Sequence, residues 1–355
     1  MWNEFTYQAL PMRVAFGAGR LSVLGEEVAR LGLERILVLA TPGQEEHVGL
    51  VTEALGRHTA GVFQEARMHV PAETAAAAWE TARHLGADGC VAVGGGSAIG
   101  LGKAVALKHR LPVVAVPTTY AGSEMTPIWG LTEDGVKRTG RDAAVLPRSV
   151  VYDPELTLSL PVPLSVTSGF NALAHAVEGL YAPDASPVVS LMAQEGAQAL
   201  VEALPRIAED GSDIEARTRA LYGSWLCGAV LGATTMSLHH KLCHVLGGSF
   251  DLPHAEVHTV VLPHVLAYNA PAAPRAALAM KRVLDAHEPA TALWDLARSL
   301  GAPVSLAELG MSKEHIREAV CQVVEAPYAN PRTPTAEELT GLLERAVRGE
   351  RPING

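Results

Sequence analysis

This 355-residue sequence predicts an α/β domain built on a doubly wound parallel sheet, followed by an all-α domain. Three observations predict it. Short apolar, β-branched runs alternate with helical periodicities through the first half. A glycine run, Gly94-Gly95-Gly96, joins one such strand to a helix. Beyond Pro161 the short runs give way to long stretches rich in Ala and Leu, with apolar residues three and four apart.

The elements follow in order. Arg13 to Phe16 reads as a short strand, closed by the turn Gly17-Ala18-Gly19 and followed by a helix over Ser22 to Leu31. Arg35 to Leu39 reads as a buried strand. A helix over Glu73 to Leu85 leads into the strand Cys90 to Val93, and Val113 to Val116 is a further strand ended by Pro117. Strands that are apolar throughout and separated by helices need a sheet covered on both faces, which is a parallel one. Lys137 and Arg138 read as a solvated turn. The helical half comprises Val166 to Tyr181, Pro187 to Leu204, Ile214 to Cys227, Leu238 to Gly247 and Pro289 to Leu300. Prolines punctuate Leu156 to Pro163, so the two domains are expected to be residues 1–160 and 161–355. Ahead of the first α/β unit, Glu4 to Tyr7 reads as an isolated strand that could pair with a second copy, giving a homodimer. No internal repeat or low-complexity tract is present.

Composition narrows the function classes. With 28 Lys+Arg against 38 Asp+Glu the net charge is −10, which argues against binding to nucleic acid or to an anionic membrane surface. No apolar run reaches the ~20 residues that span a bilayer, and Met1-Trp2-Asn3-Glu4 lacks the basic and apolar regions of a signal peptide. A cytoplasmic address is expected. Cys90, Cys227, Cys243 and Cys321 form no CxxC pair and read as reduced thiols.

The segment Ala92 to Lys103 runs from a strand through glycines into a helix. Glycines let backbone N–H groups approach a pyrophosphate, the helix N-terminus adds a favourable dipole, and Ser97 can cap the helix or donate to phosphate. The Walker frame fails at Ser97 and Ala104, and the match to the dinucleotide fingerprint is loose, so a plain strand-to-helix turn is the competing reading. The next strand ends in Pro117-Thr118-Thr119-Tyr120-Ala121-Gly122-Ser123, whose hydroxyls suit a ligand in the crevice of an open parallel sheet. Together they favour a ligand at the carboxyl ends of the strands of a doubly wound sheet. The Rossmann-like, dinucleotide-binding assignment of the first domain rests on the family resemblance that these motifs share in.

In the second half, Asn171 and His175 are four apart and share a helix face, with Glu178 one turn further as a partner for a histidine. His240 and His244 repeat that spacing, and His254 follows ten residues later. An isolated histidine is more often structural, but five between His239 and His258 make a site.

These motifs carry a resemblance. Phe16-Gly17-Ala18-Gly19, Gly94-Gly95-Gly96-Ser97 with Lys103, Pro117-Thr118-Thr119 with Gly122-Ser123-Glu124, Asp153-Pro154, the histidine segment and Asn330-Pro331-Arg332 occur in the order seen in the iron-containing alcohol dehydrogenases. The sequence resembles that family along almost its whole length. The resemblance implies a nicotinamide-dependent oxidoreductase in which Gly94, Gly95, Gly96 and Ser97 hold the pyrophosphate and Thr118, Thr119 and Ser123 line the adenosine and nicotinamide side. Two departures stand out. Gly100 replaces the usual Asp after the glycine motif, and Thr41 replaces the second-strand Asp that repels a 2′-phosphate. NADH with tolerance of NADPH is therefore expected.

In iron-dependent members an Asp and three His hold the metal. His175, His240 and His254 match the histidines, and Asn171 stands in place of the Asp. A neutral amide deprives a hard divalent cation of its one anionic ligand, so no metal is expected. His239-His240 with Lys241 and Cys243 before His244, and the compact Pro117–Ser123 segment, are similar to the family's maleylacetate reductase branch, described as metal-independent. The implied reaction is reduction of the C=C bond of maleylacetate to 3-oxoadipate, in aromatic-compound degradation. Hydride addition to a conjugated enone spreads charge over an enolate, which hydrogen bonds and imidazolium groups can hold without a Lewis acid. On this reading His175, His240, His254 and Lys241 supply positive charge for a small dicarboxylate, His244 or a neighbouring imidazole donates the proton, and His239, Tyr120 and Tyr328 are weaker substrate contacts. Arg332 is weaker still. A metal-dependent alcohol or hydroxyacid dehydrogenase, with Asn171 still ligating, and a non-catalytic dinucleotide-binding protein are the alternatives.

Overall fold

A computed structural model describes residues 4–133, 136–325 and 328–353, with only the backbone of Val136 and Lys137. The chain divides into two compact units. In the first, residues 9–160, six strands form one sheet: β1 (Arg13–Phe16), β2 (Ile36–Leu39), β3 (Thr59–Phe63), β4 (Gly89–Gly94), β5 (Val113–Pro117) and β8 (Ser149–Tyr152). Their order is β1-β8-β5-β4-β2-β3, and every pairing is parallel. Alternate residues of the apolar runs enter different cores. Leu37, Leu39, Cys90, Ala92 and Val113 join one cluster; Ile36, Val38, Val91, Val93, Val114 and Val116 join the other. That two-sided burial is why these strands are apolar throughout.

Helices α1 (Leu24–Arg30), α2 (Glu45–Leu55), α3 (Ala72–Leu85) and α4 (Gly96–His109) cover the sheet. The helix expected from Ser22 begins instead with a 3₁₀ turn, Arg20–Val23, and becomes α-helical at Leu24. Asp153 accounts for this start: its carboxylate accepts the Gly19 and Leu21 N–H groups at 3.1 and 2.8 Å, standing in for a cap. A two-stranded antiparallel hairpin, β6 (Ile128–Glu133) with β7 (Val136–Arg141), replaces the turn expected at Lys137 and Arg138. The Lys137 side chain lies outside the described residues. Gly140 is needed there, since a Cβ would stand 2.8 Å from the Trp129 ring.

The second unit holds residues 161–353, with residues 4–8 clustering alongside. Its helices are α5 (Val162–Tyr181), α6 (Pro187–Glu209), α7 (Ile214–Ala233), α8 (Leu238–Phe250), α9 (His254–Asn269), α10 (Pro274–Val283), α11 (Pro289–Ser299), α12 (Glu314–Glu325) and α13 (Ala336–Arg348). Glu4 to Tyr7 is not a strand. No helix among the described residues is long and apolar enough to cross a membrane.

Helices α6 and α7 meet at glycines. A Cβ on Gly223 would lie 2.8 Å from the Gly196 carbonyl oxygen and 2.9 Å from Leu200 Cγ. Backbone cannot yield as a flexible side chain does, so Gly223→Ala is expected to destabilise the protein by about 2 kcal/mol in urea unfolding. An unchanged midpoint would show that the helices part freely.

Candidate active site

The glycine turn forms where β4 ends. Gly94 has φ 133°, a conformation side-chain-bearing residues rarely adopt, and Gly95 precedes the first turn of α4 without any side-chain cap. Open space lies where a Gly96 Cβ would project. The Thr118 N–H donates to the Gly94 carbonyl at 3.1 Å, holding the carboxyl ends of β4 and β5 together. Thr118 is buried, Thr119 is half-buried and packs on Gly95, and the buried Ser123 hydroxyl has no protein partner. Thr41 is half-buried just past β2. The strand order reverses between β2 and β4, so Thr41 and the glycine turn border the crevice where open sheets bind ligands. Uncapped helix N–H groups, a glycine approach and a waiting hydroxyl fit a dinucleotide pyrophosphate. Tyr120 is fully buried in this unit.

Beneath this crevice lies a partnership the sequence did not reveal. Lys103, on α4, is buried, and its Nζ donates to the Ser123 carbonyl, the Thr126 hydroxyl and the Ile128 carbonyl at 2.6, 2.9 and 2.8 Å. Burial pushes Lys103 down to about 7, with Glu124 acting against it. Burial likewise pushes the Glu124 carboxyl up, opposed by the Tyr152 hydroxyl, which donates to it at 2.7 Å.

In the helical unit, α5 presents Asn171, His175 and Glu178 along one buried face. Glu178 organises what surrounds it. Its oxygens accept the backbone N–H of Ser237 at 2.9 Å and of His239 at 2.8 Å, capping α8 in place of the Ser237 side chain. The same carboxylate takes His240 Nδ1 at 2.7 Å. A carboxylate only accepts, so that nitrogen bears the hydrogen, and His240 Nε2 faces His175 Nδ1 at 3.0 Å. Glu178, His240 and His175 thus form a connected relay.

A second imidazole pair stands behind the first. His239 Nε2 and His258 Nδ1 share a hydrogen bond of 2.9 Å, and Cys243 Sγ lies 3.5 Å from His239 Nε2. Burial, then neighbouring imidazoles, hold His239 and His258 well below the ordinary histidine range, so both are neutral. The His258 ring lies 4.4 Å from His254 and 5.0 Å from His240. Toward the surface the half-buried His254 and exposed His244 rings are 6.4 Å apart, and His244 is 6.2 Å from His240. Lys241 is half-buried on α8. Tyr328 packs on the core of α8, α9, α12 and α13, and burial pushes its phenol, which has no protein partner, up to about 12. Arg332 lies 3.7 Å over the Tyr268 ring, and Asn330 and Asn269 donate to one another, which gives Asn330 and Arg332 structural work. The structure therefore gathers His175, His239, His240, His244 and His254, and adds His258, which spacing alone left without a role. The i,i+4 pair His254 and His258 was the available signal.

Family models match both units: iron-containing alcohol dehydrogenase over residues 11–154 and the C-terminal domain of that family over residues 165–347. The chain belongs to the iron-containing alcohol dehydrogenase family. A maleylacetate reductase of Pseudomonas sp. strain P51 is 55% identical over 98% of this chain and 99% of its own length. One from Sphingobium indicum is 55% identical over 99% of both. The crystal structure of maleylacetate reductase from Agrobacterium tumefaciens, 50% identical, covers 99% of this chain and all of its own with a TM-score of 0.95. The protein is an enzyme, an oxidoreductase, as its family is.

Iron fits poorly at the family's usual position. Asn171 supplies no charge, so a hard divalent cation there would have imidazoles but no anionic side chain. Among the described residues, three His, Cys, Asp or Glu donors come within 4.8 Å of one another only at His239, Cys243 and His258. The family's missing Asp at position 100 also has a structural counterpart, since a Cβ there would stand 2.8 Å from Val70 Cγ2.

Proposed function

We propose that this enzyme reduces the C=C bond of maleylacetate to 3-oxoadipate with NADH, tolerating NADPH, and needs no metal. One observation carries the reading: the position that is a carboxylate ligand in iron-dependent members is the amide Asn171, within an imidazole cluster anchored on buried Glu178. Full-length identity of 55% to maleylacetate reductases supports it.

Gly94, Gly95, Gly96, Ser97, Thr118, Thr119 and Ser123 would hold NADH, which would supply the hydride for the alkene carbon β to the ketone. The residues hold the charge that this creates. Glu178 accepts the His240 Nδ1–H and so directs His240 Nε2 toward His175, and this oriented pair offers hydrogen bonds to a dianion in a chain whose net charge is −10. Asn171, Lys241, His254 and Tyr328 offer further hydrogen-bond donors, with His239 behind them. His244, the exposed imidazole, gives its proton to the α-carbon and recovers it from solvent, so one hydride and one proton balance the reduction. At Thr41 no carboxylate repels a 2′-phosphate. We place the reaction in the cytoplasm as a homodimer, a location in keeping with four free cysteines.

Turnover of maleylacetate with NADH is expected to survive chelator in metal-depleted buffer. Loss of activity under chelator, restored by Fe²⁺ or Zn²⁺, would return the enzyme to the metal-dependent dehydrogenases. His244→Ala should lower kcat by about 10²-fold while NADH affinity, read by fluorescence titration, stays within twofold. Equal losses in both would remove His244 from the proton step.

A further inference from the structure

We propose that His239, Cys243 and His258 form a binding site for a thiophilic cation such as Zn²⁺, with a donor set different from that of the family's iron position. Helix α8 contributes two i,i+4 pairs, displaced from each other by one residue. His240 and His244 belong to the site described above, while His239 and Cys243, one position earlier on the helix, are both fully buried. His258, also fully buried in the first turns of α9, closes the triangle.

The spacing matches what such an ion requires. Tetrahedral zinc, with bonds of ~2.0–2.1 Å to nitrogen and ~2.3 Å to sulfur, separates N from S by about 3.6 Å and N from N by about 3.4 Å. Cys243 Sγ is 3.5 Å from His239 Nε2, and His239 Nε2 is 2.9 Å from His258 Nδ1. Binding then asks only that the two imidazoles exchange their hydrogen bond for the ion and separate by about half an ångström. A dication meets one negative charge in the donor set, the Cys243 thiolate formed on binding with its proton released to solvent. Thiolate with two imidazoles selects Zn²⁺, Cd²⁺ or Co²⁺ over Mg²⁺ or Ca²⁺. The outer nitrogens, His239 Nδ1 and His258 Nε2, have no protein partner, so the site lacks the hydrogen-bonded support that strengthens ligating histidines roughly 10–100-fold. Reversible binding follows.

Co²⁺ titration of the chelator-stripped full-length protein tests this. One equivalent is expected to produce a thiolate-to-cobalt charge-transfer band in the near ultraviolet. Cys243→Ser should abolish the band and weaken binding at least 10-fold, and Cys321→Ser, at the exposed thiol, should leave both unchanged. If Cys243→Ser fails to fold, His258→Gln serves, with a 10-fold weaker cobalt affinity expected. Cobalt bound without a charge-transfer band, a band that persists in Cys243→Ser or disappears in Cys321→Ser, or no binding would each overturn the site.

Discussion

Glu178→Gln is expected to lower kcat about 100-fold while leaving NADH affinity within twofold, and to destabilise the protein by roughly 3 kcal/mol. The carboxylate accepts three hydrogen bonds shorter than 3 Å, from Ser237 N–H, His239 N–H and His240 Nδ1. The amide keeps a single acceptor oxygen, and its NH₂ must face a donor. One end of α8 then loses its cap, or His240 loses the partner that fixes its tautomer. Glu178 acts through His240, so it is a positioning residue and the loss belongs in kcat. Glu178→Asp, whose shorter carboxylate restores an acceptor pair, should recover at least 10-fold of that turnover. A Glu178→Gln enzyme that loses stability but keeps its kcat would show the carboxylate to be only a helix cap. Steady-state kinetics beside urea unfolding separate the two.

Lys103→Met is expected to cost about 3 kcal/mol of stability and to raise the KM for NADH about 10-fold. Three acceptors converge on Nζ, and removing it leaves the Ser123 and Ile128 carbonyls and the Thr126 hydroxyl without that donor and Glu124 without its cation. The segment so released contains Ser123, a residue of the cofactor crevice. The pH dependence has a definite sign. The folded Lys103 titrates near 7, whereas an unfolded lysine titrates near ~10.4, so between those values the unfolded chain binds more protons and stability rises with pH. Wild type should therefore gain on Lys103→Met by at most about 1.4 kcal/mol per pH unit across that window. Equal slopes in urea unfolding at pH 7, 8.5 and 9.5 would mean that Lys103 stays protonated throughout.

The legible parts of this protein were those whose signal is local. The runs at Ile36–Leu39 and Val113–Val116 are apolar on both faces because both faces are buried, and that pattern is written in consecutive residues. The glycine turn after β4 and the four-residue spacings Asn171/His175 and His240/His244 are likewise short-range. Strands β3 and β8 and the β6–β7 hairpin were not read: Thr59–Phe63 has only one buried residue and takes its form from pairing with β2, whereas Ser149–Tyr152 carries the same buried run as Ile36–Leu39 and was missed.

By itself the sequence determined the α/β-then-α order, the family and the loss of a carboxylate at Asn171, since covalent order and side-chain type are enough for each. Tertiary structure alone decided that Glu178 caps α8 while orienting His240, that Lys103 and Glu124 share one interior, and that His258 meets both His239 and His254. Glu178 and His240 are 62 residues apart, and the free energy of such a contact depends on burial and on which donors lack other acceptors. Those quantities exist only once the helices have packed.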